Sequence, residues 1–496
     1  MPYLYKRMNL RSGPPTPDQK SQFNPSSALR RLDAAYLGER FHFTKDFKVS
    51  VRENNDALVS SYLTSMPNVV SLSVEFDGID ASHTCSALLD LPSKALRDLE
   101  IRVAVDDSPD SYLNQTQNES EILKLFGLGG NMSARARDIA RALIASPQIK
   151  VLGLGMDLTT FLDKYHPRFG ASESNKELLL KDIIDEMQKS RPGGDFHLSL
   201  DELILGLGAL PGTPLPVNQT IHDLSPLTSL KSLKVLQLLN GDTAKLEDHP
   251  DLLEIEPRAF HACTNLRRLI VDTLSEDIVT LIDFLRSSST SLVELEVNRE
   301  QDLRRFVGGE NSSMENRLKP IGPRWRKMHL EYPLAMRNLF DATGQNTYSD
   351  LEELSLAITT TLLDQLVGRE QSESWELVLS HFSSLPGLRR LRLQWETSLI
   401  QKWAQRSSPG IASRFATRLF TIHEEAMHSQ DLPSNLLYIT LKPSNGDVRS
   451  FRRMFVPPGF DVGVDTSMEW KLVEVPKDEE SDWDWGAGAR GNPYEY

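Results

Sequence analysis

One short apolar phrase, apolar-x-x-apolar-x-apolar, returns along the whole chain and limits what it can fold into more than any other feature. It is often entered through Pro, Asn, Ser or Thr. It reads PNVVSLSV (Val69, Leu72, Val74), ALRDLEI (Leu96, Leu99, Ile101), PQIKVLGL (Ile149, Leu152, Leu154) and LDELIL (Leu200, Leu203, Leu205). It continues as LKVLQL (Leu233, Leu236, Leu238), TNLRRLIV (Leu266, Leu269, Val271), TSLVELEV (Leu292, Leu295, Val297) and RWRKMHL (Trp325, Met328, Leu330). SDLEELSL (Leu351, Leu354, Leu356), PGLRRLRL (Leu388, Leu391, Leu393) and SNLLYITL (Leu436, Ile439, Leu441) follow, and WKLVEV at Trp470 reads as a last copy. Requiring Leu at the first and fourth places and Leu, Ile or Val at the sixth keeps seven of the eleven copies before Trp470. Composition alone would give roughly two or three.

First places fall at 200, 233, 266, 292, 325, 351 and 388, in steps of 33, 33, 26, 33, 26 and 37. Steps of 27, 53 and 51 lead up to residue 200, and one of 48 follows residue 388. Leucine-rich repeats run about 20 to 29 residues, so the shorter steps fit and the longer ones imply insertions. Segments of helical period lie between the phrases, at 133–146, 175–190, 275–288, 373–384 and 416–429. In the third of these Ile278, Leu281, Ile282 and Leu285 stand at i, i+3, i+4 and i+7, a single apolar stripe. One strand with one helix cannot enclose its own leucines. Stacking on neighbours removes them from water, at roughly 1.5–3 kcal/mol per fully buried Leu. The expected fold is α/β: a leucine-rich-repeat-like solenoid, or horseshoe, with short parallel strands, outer helices and irregular repeats carrying insertions.

The ends differ from this middle. Residues 11–27 are rich in Pro and Ser, and a short amphipathic helix is expected near Leu29, Leu32 and Tyr36. The last segment, PKDEESDWDWGAGARGNPYEY, is acidic and without period. The domain reading is therefore a largely disordered segment over 1–40, the solenoid over 41–475 and an acidic disordered tail over 476–496. Within the tail, DEESDWDW alternates acid with Trp, as a short linear docking segment would.

Net charge is −14 over 496 residues, which argues against nucleic acid as the main ligand. No run approaches the roughly 18 apolar residues of a membrane span, and the start has no apolar stretch of signal-peptide length. The two cysteines, Cys85 and Cys263, stand outside any ligand-spaced cluster and read as buried thiols. An intracellular setting, cytoplasm or nucleus, is expected.

Catalytic and metal signatures are incomplete. HEEAMH places His423 and His428 five apart with Met427 where a zinc-protease helix needs the second ligand, so a solvated helix face is expected. The glycines at 127–130, 153–155 and 206–208 complete no dinucleotide loop and read as loop and turn residues. No P-loop, GxSxG or kinase signature occurs. Neither a cofactor, a metal nor a catalytic group is expected.

At PNVVSLSV, TNLRRLIV, SDLEELSL and PGLRRLRL the chain resembles the repeat portion of fungal F-box/leucine-rich-repeat proteins, over about residues 41–475. The resemblance implies a substrate-receptor-like protein of the cullin-type ubiquitin ligases. The segment GERFHFTKDFKVSV looks like the run that leads such proteins from the F-box into the repeats. No LP-x-E-like opening of an F-box precedes residue 90, and the first Leu-Pro is Leu91–Pro92. The element that docks a ligase adaptor is thus not visible.

In each phrase the first, fourth and sixth places point into the core. The third and fifth project from the sheet face that solenoids present, concave, to partners. These places hold Asp98 and Glu100, Val151 and Gly153, Val235 and Gln237, then Arg268 and Ile270. Beyond them the candidate protein-binding set is Glu294, Glu296, Lys327, His329, Glu353, Arg390, Arg392 and Tyr438, with Ser355 and Thr440 beside it. The function expected is a non-enzymatic protein–protein interaction scaffold whose partner is a protein of unknown identity. An enzyme on an unrecognised α/β fold, and an adaptor in a fungal pathway or gene cluster outside ubiquitin chemistry, are the alternatives.

Overall fold

The computed structural model describes residues 7–10, 43–51, 56–76, 83–84, 87, 96–103, 121–128, 132–156, 179–190, 197–211, 223–239, 255–272, 276–288, 291–297, 325–333, 350–357, 385–395, 409–443, 448–455 and 470–475. The chain divides into two compact units, the first made of residues 1–266, 287–290 and 491–496, the second of residues 267–286 and 291–490.

Unit 1 carries β1 (Arg7–Leu10), β2 (Asp46–Val51), β3 (Ser71–Phe76), β4 (Asp98–Val103), β5 (Ile122–Leu128), β6 (Val151–Met156), β7 (Glu202–Leu205) and β8 (Val235–Leu238). Each pairs in parallel with the strand before it in the sequence. The register puts Met8, Phe47, Leu72, Leu99, Leu123, Leu152, Leu203 and Leu236 in one row. Unit 2 carries β9 (Arg268–Val271), β10 (Glu294–Val297), β11 (Lys327–Pro333), β12 (Glu353–Ala357), β13 (Arg390–Trp395) and β14 (Tyr438–Pro443), again parallel and in order. Its corresponding row is Leu269, Leu295, Met328, Leu354, Leu391 and Ile439. Two antiparallel strands end this unit, β15 (Arg449–Phe455) and β16 (Trp470–Val475). The class is thus α/β with a mostly parallel sheet, and among the described residues no pairing closes either unit's strands into a barrel.

In all eleven phrases the strand opens at the third place, and the first- and fourth-place side chains are buried. The sixth is buried as well wherever its side chain is described, Leu330 lying outside that set. Backbone hydrogen bonds fix the register at the strand entrance. The carbonyl of Glu121 accepts from Lys150 N and Val151 N at 2.7 and 3.1 Å, and that of Glu352 from Arg389 N and Arg390 N at 2.8 and 3.0 Å. A polar residue just ahead of the first place ties one phrase to the preceding segment. Ser232 Oγ donates to Leu200 O at 2.9 Å, Asn265 Nδ2 to Lys231 O at 2.8 Å and Asn435 Nδ2 to Pro386 O at 3.0 Å. That requirement explains the Ser and Asn that introduce the phrases.

Four of the five expected helical segments are helices in the structure. In unit 1 they are α2 (Met132–Ala145) and α3 (Leu179–Ser190), preceded by α1 (Asp56–Thr64). The others are α4 (Glu276–Ser288), whose stripe of Ile278, Leu281, Ile282 and Leu285 is fully buried, and α5 (Pro409–His428) in unit 2. The segment 373–384, the N-terminal stretch 11–42 and the tail 476–496 lie outside the described residues. No helix among the described residues is long and apolar enough to cross a membrane.

Gly153 departs from expectation. It stands inside β6, not in a loop, and a Cβ there would come within 2.8 Å of Phe126 Cζ and 3.1 Å of Lys124 Cγ. Gly155 likewise lies in β6, and Gly127 (φ 68°) lies within β5, at the register shift between Leu125 and Leu128.

Candidate functional site

The eight candidate residues all fall in unit 2, and pairing brings them into two adjacent rows. Third places align as Arg268, Glu294, Lys327, Glu353, Arg390 and Tyr438; fifth places as Ile270, Glu296, His329, Ser355, Arg392 and Thr440. The side chain of His329 lies outside the described residues.

The third-place row alternates in sign and pairs across strands. Glu353 accepts from Arg390 Nη1 at 3.0 Å through one oxygen and sits 3.3 Å from Lys327 Nζ through the other. Arg267 bonds Glu294 at 3.2 Å, and the Arg390 guanidinium lies 5.7 Å from the centre of the Tyr438 ring. One place earlier, Arg326 grips Glu352, while Arg389 is exposed. These are partly exposed pairs of opposite charge on neighbouring strands, each worth at most about 1 kcal/mol to the fold.

The fifth-place row differs from its expected projection towards a partner. Glu296, Ser355 and Thr440 are each only 2% exposed. The Glu296 carboxylate is held by Arg268 Nη2 at 2.5 Å, and Thr440 Oγ1 shares a hydrogen bond of 2.9 Å with Ser450 Oγ. On this face the more accessible side chains are therefore those of the third places and Arg392, all half-buried. Glu352, Glu353, Arg389, Arg390, Leu437 and Tyr438 line a cleft of about 110 Å³. That space takes the end of a side chain and is well below the roughly 300–1,000 Å³ of small-molecule sites.

His423 is the second departure. Instead of lying on a solvated helix face it is fully buried, whereas His428 is exposed at the end of α5. His423 Nδ1 is 2.9 Å from Ser434 Oγ and Nε2 3.4 Å from Leu385 O. Arg453 Nη1 donates to the same Ser434 oxygen at 3.1 Å. The arrangement that satisfies all three has the Ser434 hydroxyl donating to Nδ1 and the Nε2 proton directed at the Leu385 carbonyl. Burial, with the Arg453 charge a smaller contributor, pushes the imidazole pKa down to about 4. Among the described residues no cluster of His, Cys, Asp and Glu could hold a metal ion.

The same corner closes unit 2. Arg453 Nη2 donates to Glu424 at 2.6 Å, Trp470 Nε1 donates to the other Glu424 oxygen at 3.0 Å, and the Arg453 guanidinium stacks 4.9 Å from the Trp470 ring centre. Phe420 packs on Trp470 with centroids 5.5 Å apart. α5 is thereby fastened to β15 and β16. No motif announces this network, because its members come from three separate segments; the only trace is WKLVEV at Trp470. Cys263 is a buried free thiol whose pKa desolvation pushes up to about 12, which leaves it inert, while Cys85 lies outside the described residues. Compared with known proteins, the sequence matches no family model and no curated protein.

Proposed function

We propose that this chain is a non-enzymatic, leucine-rich-repeat-like solenoid that binds another protein through the third-place row of unit 2, in an intracellular setting. It would be a substrate-receptor-like relative of F-box/leucine-rich-repeat proteins. The observation that carries the reading is the convergence of candidates picked by place in the phrase. Glu353, Arg390 and Tyr438 meet at one cleft, with Arg392 two residues along the same strand. Tyr and Arg are, with Trp, the residue types enriched at the energetic hot spots of protein interfaces.

The test is affinity capture from cells with the wild-type chain and with Arg390→Glu/Arg392→Glu. Arg390 makes a half-exposed ion pair with Glu353 and a ring contact with Tyr438, each a small contribution to the fold. Melting should therefore move by no more than about 3 °C. Capture of the partner should fall at least about tenfold, the effect of some 1.4 kcal/mol. Equal capture by both forms removes this face as the binding surface. Ligase components among the captured proteins would favour the receptor reading; their absence beside a strong partner would favour an adaptor outside ubiquitin chemistry.

A further inference from the structure

The face that carries the candidate rows changes character after β12. Third and fifth places up to there mix signs, with Glu294, Glu296 and Glu353 among them. Beyond, pairing extends the same face onto the antiparallel strands, since Tyr438 stands opposite Arg452, Thr440 opposite Ser450, Arg452 opposite Val473 and Met454 opposite Lys471. Over β13–β16 the described residues of this face include Arg390, Arg392, Lys442, Arg452 and Lys471 and no acid. Lys471 is exposed and the others are half-buried. This stretch of five cations, of which Arg390 also pairs with Glu353 of β12, gives the face a net positive charge on a chain of net charge −14. Such a face attracts an anionic segment.

The chain contains such a segment, and it starts beside the patch. Register places Arg392, Thr440, Ser450 and Val475 in one row across four strands. Val475 is therefore three strand spacings, about 14 Å, from Arg392. Three residues after Val475 begins DEESDWDW, with Asp478, Glu479, Glu480, Asp482 and Asp484. An extended chain covers about 3.3 Å per residue, which brings the stretch from Asp478 to Asp484 within reach of the patch. Alternation of Asp482, Trp483, Asp484 and Trp485 also matches the two-residue repeat of Arg390 and Arg392 along β13.

We propose that residues 478–485 are the occupant of the basic β13–β16 face, a cis docking segment that covers the arginines of the candidate site. A protein partner using Arg390 and Arg392 must displace it. The docking stands whether or not such a partner exists, so it is tested on purified full-length chain with no partner present.

The probe is a fluorescently labelled peptide of residues 476–490, its binding read by anisotropy. The receptors are the wild-type chain, a chain with a neutralised tail (Asp478→Asn, Glu479→Gln, Glu480→Gln, Asp482→Asn, Asp484→Asn), and that chain carrying Arg390→Glu/Arg392→Glu. A tethered tail at an effective concentration on the order of 1 mM masks a site with a Kd near 100 µM about tenfold. The peptide should therefore bind the neutralised chain about tenfold more tightly than wild type. Binding should weaken with salt and vanish with the arginine reversals. Equal affinity for wild-type and neutralised chains overturns the proposal. So does binding indifferent to the arginines, or equal binding of a scrambled peptide, which would mark a general acidic-peptide site. Should Arg390→Glu/Arg392→Glu lower the melting temperature, Arg452→Glu/Lys471→Glu replaces it as the reversal and must abolish binding.

Discussion

His423 has two hydrogen-bond partners, Ser434 and Leu385, and both suit a neutral imidazole. Its folded pKa of about 4 lies below the ordinary 6.5, so between these values the unfolded chain holds more protons than the folded one. Stability from this residue is therefore complete above pH 6.5 and is lost as pH falls towards 4. The whole effect is at most about 3 kcal/mol. Urea unfolding at pH 7 and pH 4.5 measures it. His423→Gln, which cannot titrate, should lose clearly less stability between those values than the wild type, although its carboxylates still contribute a slope. An identical slope in both proteins would show that His423 is not a source of the acid sensitivity. None of this was legible in HEEAMH, where spacing excluded a metal pair but left burial open. The reason is that the partners of His423 arrive from residues 38 and 11 positions away.

At the scale of elements, spacing exposed eleven strands because each carries apolar residues at three places. β2 and β5 escaped because Thr44 and Ser120 occupy the first place, although Phe47 and Val49, or Leu123 and Leu125, fill the other two. With β5 restored, the step of 53 from Leu96 to Ile149 becomes two, of 24 and 29. Direction was not legible either, since WKLVEV fits the phrase and yet β16 runs antiparallel to β15. For the candidate site, counting places identified which residues share a row. It could not show that Glu296, Ser355 and Thr440 are buried, because burial depends on what neighbouring rows cover. Gly153 shows the same dependence. Phe126 packs with Ile204, Leu239 and Val151 directly over the position a larger residue would need. Gly153→Val should cost about 1–3 kcal/mol. Because the clash is with the far end of the ring, Phe126→Leu in the same chain should recover part of the loss. A double-mutant cycle by chemical denaturation reads the coupling; strictly additive effects would contradict the contact.

For the molecule as a whole, the pairing pattern determines how damage spreads. Among the described residues of unit 1, each strand pairs in the sheet only with the strand before and the strand after it. Stability in such an array is approximately a sum of local contributions and nearest-neighbour couplings, and opening can stay local. Leu203 is fully buried in the central row, between Leu152 and Leu236. Truncating it to Ala leaves a cavity costing roughly 2–5 kcal/mol. The consequence should appear as faster amide exchange in β6, β7 and β8, with β2 and β3 changed far less. Leu391→Ala should do the same to β12, β13 and β14 in unit 2, sparing β9. Hydrogen-exchange mass spectrometry resolves these segments directly. Uniform acceleration across every strand of a unit would mean a single cooperative core, and nearest-neighbour stacking of the phrases would then be the wrong physical description.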